Sequence, residues 1–421
     1  MMTLMERARH EQTTAEVRAV AKTERIPVAE LLRDIAAGVV VITKNNRRRI
    51  AKPFGIGPGL STKVNANIGT SPDHISLADE RKKLDAAVRA GADAVMDLST
   101  GGNLRKIRQM ILENCPVPVG TVPLYQTACE TVGRKKNITQ MSGEHMFAVI
   151  EEQAEQGVDF MTVHCGITRQ TVDVLGRQNR LVGVVSRGGS FLVKWIKANN
   201  KENPLYEDYD RLLAIAKKYD VTLSLGDGFR PGCSKDASDG AQIAELSVLG
   251  ELVLRARAAG VQTMIEGPGH VPLDQIPANV LMAKRLGHNA PLYFLGPIVT
   301  DIAPGYDHIT AAIGGALAAS HGVDFLCYVT PAEHLRLPDV DDVHNGVMAA
   351  RIAGHAADIA KKLPRARDWD DEMSKWRKAR DWQRQEKLSM DPVRFAQVRK
   401  QMPSKTDDVC AMCGPFCAMK D

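Results

Sequence analysis

Three cysteines fall within the last twelve residues, as Cys410-Ala-Met-Cys413-Gly-Pro-Phe-Cys417. Thiolates at this spacing can ligate three irons of a [4Fe-4S] cube and leave the fourth iron open to a small molecule. That open corner separates a chemically active cluster from an electron-transfer cluster, which ordinarily takes four Cys. Two plainer readings stay open. A structural zinc site would want a fourth Cys or His close by, and none lies near in sequence. A disulfide with a spare thiol would suit a secreted chain.

Other residue types gather where strand-like runs end in polar, Gly-rich punctuation. In order these are Asn67, Met96, Tyr125, His164, Ser186-Arg187-Gly188, Asp227-Gly-Phe-Arg230, Glu266 with His270, Tyr293 and His308. Arg187 beside Gly188 and Gly189 pairs a planar guanidinium with exposed backbone N–H groups, which suits a phosphate; an ordinary turn explains it equally well. Asp227 and Arg230 could simply pair with each other, and Met96 alone reads more readily as core. Glu266-Gly-Pro-Gly-His270 and Gly305-Tyr-Asp-His308 each set an imidazole on a stiff loop. Two His from separate loops would leave several positions of a bound ion open, unlike a closed structural zinc site. Either one alone is more simply a hydrogen-bonded histidine.

The elements that must position these residues alternate. Nine candidate strands lie at 64–69, 94–99, 119–123, 160–164, 182–186, 223–226, 263–266, 292–295 and 324–328. Amphipathic stretches at 77–90, 143–156, 205–219 and 241–259 fill gaps between them. Alternating strand and helix argues for a parallel sheet, most economically a (β/α)8 TIM-type barrel, whose strand ends form the catalytic mouth. With nine candidates, at least one lies outside the barrel. Residues 1–55 read as a helical N-terminal segment with Pro27 opening one helix and a solvated basic run at Arg47–Arg49, residues 56–365 as the barrel, and residues 366–421 as a charged helical arm anchored by Trp369, Trp376 and Trp382 and carrying the cysteines.

The 421 residues are 44% hydrophobic and 25% charged with a formal net charge of +5, a composition that suits an ordinary soluble enzyme. Without a basic stripe interleaved with aromatics, no nucleic-acid partner is expected. No run approaches the ~18–20 apolar residues of a membrane span, and the charged N-terminus does not read as a signal peptide. Cys115, Cys129, Cys165, Cys233 and Cys327 stand singly, as expected of a cytoplasmic protein.

Longer motifs carry a family resemblance. They are Lys63-Val-Asn-Ala-Asn-Ile-Gly69, Val95-Met-Asp-Leu-Ser-Thr-Gly101, Ser186-Arg-Gly-Gly189, Ile265-Glu-Gly-Pro-Gly-His-Val-Pro272, Thr300-Asp-Ile-Ala-Pro-Gly-Tyr-Asp-His308 and Leu326-Cys-Tyr-Val-Thr-Pro331. From about residue 56 onward the chain resembles the phosphomethylpyrimidine synthase family, radical S-adenosylmethionine lyases of thiamine biosynthesis, in its short form. The resemblance implies 5-aminoimidazole ribotide as substrate and hydroxymethylpyrimidine phosphate as product. It implies substrate contacts at Asn67, Met96, Tyr125, His164, Ser186, Arg187, Gly188, Asp227, Gly228, Phe229, Arg230, Glu266 and Tyr293, with Glu266 and Asp227 as proton acceptors or imidazole anchors. It further implies zinc on His270 and His308, a [4Fe-4S] cluster on Cys410, Cys413 and Cys417, S-adenosyl-L-methionine as co-substrate, a homodimer, and an electron donor such as flavodoxin or ferredoxin.

The chain departs from the family pattern in three places. The second gap of the cysteine motif, Gly414-Pro-Phe416, is one residue shorter than usual, Phe229 replaces a Leu, and Arg336 replaces a Gly. The last two point toward a paralogue acting on the same ribotide, 5-hydroxybenzimidazole synthase of anaerobic cobamide synthesis.

Overall fold

The computed structural model describes residues 2–406 and 408–420, apart from the side chain of Pro364. An antiparallel ribbon, β1 (Val41–Ile42) with β2 (Gly55–Ile56), precedes eight parallel strands. These are β3 (Lys63–Ile68), β4 (Ala94–Asp97), β5 (Val119–Thr121), β6 (Phe160–Val163), β7 (Thr222–Leu225), β8 (Thr263–Gly267), β9 (Leu292–Leu295) and β10 (Phe325–Cys327). They close in the order β10-β3-β4-β5-β6-β7-β8-β9. Helices cover the outside and side chains fill the inside, so β4, β6, β7 and β10 are buried along their whole length. That is why β4, β6 and β10 read as largely apolar runs, whereas β7, Thr222-Leu-Ser-Leu225, alternates although it is buried throughout.

Near the N-terminal ends of the strands, aromatic rings fill the barrel. Tyr293 stacks on Phe325 with ring centres 4.4 Å apart, and Phe160 meets Phe325 edge-on at 6.3 Å. Gly120 gives this layer its room, since a Cβ there would lie 2.3 Å from the Phe160 ring. On the outside, Ser76 and Ser142 cap the helices Leu77–Ala90 and Gly143–Gln156 by accepting from Asp79 N–H and His145 N–H. Gly91 (φ 92°) and Gly157 (φ 101°) end the same helices in the left-handed region. The expected helix over 205–219 is two, Pro204–Glu207 and Tyr209–Tyr219, parted at Asp208.

Eight of the nine candidate strands are barrel strands; residues 182–186 are not. Where the segment begins, a side chain rather than a neighbouring strand takes the backbone donors. Asp236 accepts from Leu181 N–H (2.6 Å) and Val182 N–H (3.0 Å), and Gly183 turns the chain at φ 69°. The segment is a loop leading into the helix Arg187–Asn199, with Val182 and Val185 exposed.

The chain forms two compact units, residues 1–357 and 358–421. Residues 1–55 therefore belong to the same unit as the barrel. Helices Leu4–Arg9, Ala15–Glu24 and Val28–Ala37, the last entered from Pro27, share an apolar cluster with Val40, Ile42 and Leu60. Thr3 Oγ1 donates to Gly260 O (2.6 Å), and Ile42 N–H donates to Gln262 Oε1 (2.8 Å). Within the basic run Arg48 is not solvated as expected. Its guanidinium donates to Asp159 Oδ2 (2.5 Å), Val117 O (3.1 Å) and Leu112 O (3.2 Å), with Asp159 fully buried.

In the second unit, helices Pro364–Ala379, Trp382–Leu388 and Pro392–Gln401 precede the cysteine turns. Its tryptophans are half-buried, and two of them lie under cations: Arg384 is 3.7 Å from the Trp376 ring centre and Arg399 is 3.8 Å from that of Trp382.

Candidate active site

The C-terminal ends of the barrel strands surround a cavity of about 760 Å³. β3 sends Asn65 and Asn67 toward it from alternate positions. Asn65 Nδ2 donates to Asn67 Oδ1 (2.7 Å) and Tyr293 Oη (2.7 Å), while Asn67 Nδ2 donates to the Cys327 sulfur at 3.1 Å. Tyr293 Oη in turn donates to Met96 Sδ (3.4 Å). Strands β3, β4, β9 and β10 thereby share one polar network whose members hold one another's rotamers.

On the opposite side, Glu266 at the end of β8 accepts from Thr162 Oγ1 (2.6 Å) and Ser224 Oγ (3.1 Å) on β6 and β7. Arg230 donates to Asp227 Oδ1 (3.1 Å), and Asp227 Oδ2 is buried without a partner. Burial raises both carboxyls, Asp227 well above the usual range despite the opposing charge of Arg230. The two groups can accept or hold a proton inside the cavity.

His164 follows β6 directly. Burial, with the charge of Arg230 adding to it, pushes its imidazole down to about 3, so the ring is neutral. Its Nε2 meets Ser186 Oγ at 3.3 Å, and its Nδ1 is buried without a partner. Gly188 lies against this ring, where a Cβ would come within 2.3 Å. Ser186 caps the helix Arg187–Asn199 by accepting from Gly189 N–H at 3.2 Å, and the Arg187 guanidinium lies 4.8 Å from the Tyr125 ring centre. A cation at the first turn of a thirteen-residue helix, facing a cavity, is a place for a phosphate.

Among the sequence candidates, Asn67, Met96, Tyr125, His164, Arg187, Asp227, Arg230, Glu266 and Tyr293 line the cavity. Ser186 and Gly188 stand behind His164. Gly228 N–H and Phe229 N–H donate to Glu245 at 2.8 and 2.6 Å, and the Phe229 ring is fully buried off the cavity lining. The Phe229 ring packs into the core and does not line the cavity. Arg336 does line the cavity and also pairs with Asp339 and Asp342.

Sequence reasoning passed over Cys327, Thr162, Ser224, Glu245 and His334. Only Cys327 lay within a quoted motif; the others are ordinary residues until the barrel closes. Burial raises the Cys327 thiol to about 11.

His270 and His308 are not joined by any hydrogen bond or ring contact among the described residues. His270 Nδ1 is 2.7 Å from Asp301 Oδ1, and its Nε2 is 3.3 Å from His334 Nε2. His308 instead borders a small crevice with Gly296, Ala311 and Val329, its Nδ1 buried without a partner. The structure thus sets His270 beside His334 and His308 in the crevice.

All eight cysteines are free, and among the described residues no three His, Cys, Asp or Glu side chains converge as ligands on one point. The donor set of the C-terminal loop nonetheless suits an iron–sulfur cluster. The Cys410 thiol is lowered by backbone N–H groups of Met412 and Cys413, Cys413 is exposed, and Gly414 turns at φ 51° with open space around it.

A sequence model described as the radical SAM ThiC family matches residues 3–421. The chain belongs to that family. A phosphomethylpyrimidine synthase of Moorella thermoacetica is 58% identical over 419 residues, covering 100% of this chain and 97% of its own length. One from Desulfotalea psychrophila is 56% identical over 419 residues, covering 100% and 96%. Among solved structures, a dihydropteroate synthetase matches 72% of this chain and 95% of its own at 12% identity and a TM-score of 0.43, a likeness that carries no functional weight. Membership of the radical SAM ThiC family brings a [4Fe-4S] cluster and S-adenosylmethionine with it. Among the described residues no helix is long and apolar enough to cross a membrane.

Proposed function

We propose that the chain is a radical S-adenosylmethionine lyase that converts 5-aminoimidazole ribotide to 4-amino-5-hydroxymethyl-2-methylpyrimidine phosphate. The observation that carries this is the cavity ringed by Arg187, Asp227, Arg230, Glu266 and Tyr293 in a member of the radical SAM ThiC family. Relatives of 56–58% identity named phosphomethylpyrimidine synthase favour this product over the benzimidazole, and the buried Phe229 ring withdraws one hint toward the latter.

Arg187 and the first backbone N–H groups of its helix hold the ribotide phosphate. Glu266 and Asp227 receive the imidazole edge and its protons. Asn67 and Tyr293 orient the ribose, and the neutral His164 offers an uncharged nitrogen. Cys410, Cys413 and Cys417 hold the cluster. When bound, the cluster with S-adenosylmethionine supplies a carbon radical able to abstract hydrogen from the sugar. The residues' part is to keep the ribotide fixed and dry. A homodimer, a flavodoxin or ferredoxin as donor, a cytoplasmic setting and zinc on His270 complete the reading.

Anaerobic incubation with the ribotide, S-adenosylmethionine and a reductant, followed by mass spectrometry, tests it. The expected product is the hydroxymethylpyrimidine phosphate; 5-hydroxybenzimidazole in its place would refute the assignment.

A further inference from the structure

Two loops of the cavity, one carrying Arg187 and the other Asp227 with Arg230, are joined from behind by a single buried cation. Arg180 precedes the 181–186 segment; its side chain is 3% exposed and does not line the cavity. An arginine has five N–H donors and no acceptor. Here each donor meets a protein acceptor, and none is left for a ligand. Nε donates to Asp239 Oδ2 (2.7 Å) and Nη2 to Asp239 Oδ1 (2.8 Å), a fork on one carboxylate. Nη2 also donates to Phe229 O (2.6 Å), and Nη1 donates to Gly183 O (3.2 Å) and Arg230 O (3.5 Å).

Those acceptors belong to separate pieces of chain. Phe229 and Arg230 lie in the turn that carries Asp227, and Gly183 lies in the loop that delivers Arg187. Asp239 caps the helix Gly240–Ala259, accepting from Gln242 N–H at 2.9 Å. The same stretch supplies Asp236, which accepts from Leu181 and Val182 N–H, and Glu245, which accepts from Gly228 and Phe229 N–H. Carboxylates thus take the N–H groups of both loops, and Arg180 takes carbonyls of both. The loops also touch through backbone alone, since a Cβ on Gly189 would lie 2.3 Å from Gly228 O. With no side chains between them there, their spacing is set by what grips them from behind.

We propose that Arg180 is a positioning residue: anchored on Asp239, it fixes the span between Arg187 and Asp227, and so favours a ligand with an anionic group at one end and a proton-bearing heterocycle at the other. This rests on the ribotide reading given above and adds to it the residue that sets the length of the pocket. Lysine is no substitute, because one ammonium with three donors on a flexible stem cannot fork on Asp239 and hold both loops.

The test compares calorimetric binding of 5-aminoimidazole ribotide and of its phosphate-free riboside to the full chain, without S-adenosylmethionine. Arg180→Lys should weaken the ribotide roughly 10-fold or more, the worth of a charged contact held out of place, and the riboside no more than about 2-fold, since only the ribotide reaches both loops. Asp239→Asn should weaken the ribotide by about 3-fold, and the double variant should be no worse than Arg180→Lys, because both act through one fork. Arg255→Gln, on an exposed face of the same helix, should leave both affinities unchanged. Melting temperature reports folding in every variant, and Asp239→Asn carries the comparison if Arg180→Lys does not fold. Equal weakening of the two ligands, or undiminished ribotide affinity in a folded Arg180→Lys chain, would overturn the role and leave Arg180 a stabilising contact only. An unaltered chain that binds no ribotide would instead overturn the ribotide reading, and this inference with it.

Discussion

On the proposed reading, the barrel mouth and the cysteine loop carry the two halves of the chemistry, and they do so by opposite means. At the mouth, Glu266, Asn65, Asn67 and Tyr293 are held by bonds from other strands, so the side chains are locked before any ligand arrives. The loop has two short 3-10 turns, Gly414–Phe416 and Ala418–Lys420, an exposed Cys413, and Met412 and Phe416 open to solvent. Precision at the mouth comes from burial, and the loop leaves its thiols for the metal to organise. A pocket proposed to discriminate one ribotide needs the first; three thiols proposed to gain their geometry from iron need only the second.

Breaking either side should give different signatures. Cys413→Ser should have the largest effect, a loss of turnover of roughly a thousandfold or more, since a cluster lacking one of three ligands cannot be held. Iron content should fall and the main unfolding transition should not move. Normal turnover in that variant would mean the loop is not the cluster site. Arg48→Ala should do the reverse. It strands the buried Asp159, costing about 3–5 kcal/mol of stability by denaturant titration, with iron uptake by the loop unaffected. Arg187→Ala should weaken ribotide binding by roughly 10–100-fold, the worth of a charged contact to phosphate, while the cluster spectrum stays the same.

The smallest effect sharpens the view of the mouth as pre-paired. Glu245 is fully buried, and burial pushes it up to about 8 from an ordinary value of 4.5 while it accepts from Gly228 N–H and Phe229 N–H. The folded chain thus keeps a proton that the unfolded chain releases. The stability due to this group should fall as pH rises from about 4.5 to about 8. Glu245→Gln should flatten that slope and cost about 1–3 kcal/mol for an unpaired backbone donor. A pH–stability profile unchanged by the substitution would show that Glu245 carries its charge freely.

Strand–helix alternation was legible because most barrel strands are short, largely apolar runs between helices, several of which carry Ser caps or Gly stops. Residues 182–186 misled because Val-Gly-Val-Val has a strand's composition, whereas Asp236, far along the chain, claims the N–H groups of Leu181 and Val182 where the segment begins. Arg48 misled for a similar reason. A basic run is ordinarily solvated, and only the buried Asp159, which the folded chain sets beside it, makes Arg48 an internal cation.

By itself the sequence determined the strand ends that face the mouth, the order in which polar residues arrive there, and the thiol triad, since these follow from local periodicity and spacing. Tertiary structure decided which residues touch. It turned the Phe229 ring into the core, put Glu245 under the Asp227 loop, and set His334 rather than His308 against His270. Such pairings join residues tens to hundreds of positions apart, and only closure of the barrel brings them within hydrogen-bonding reach.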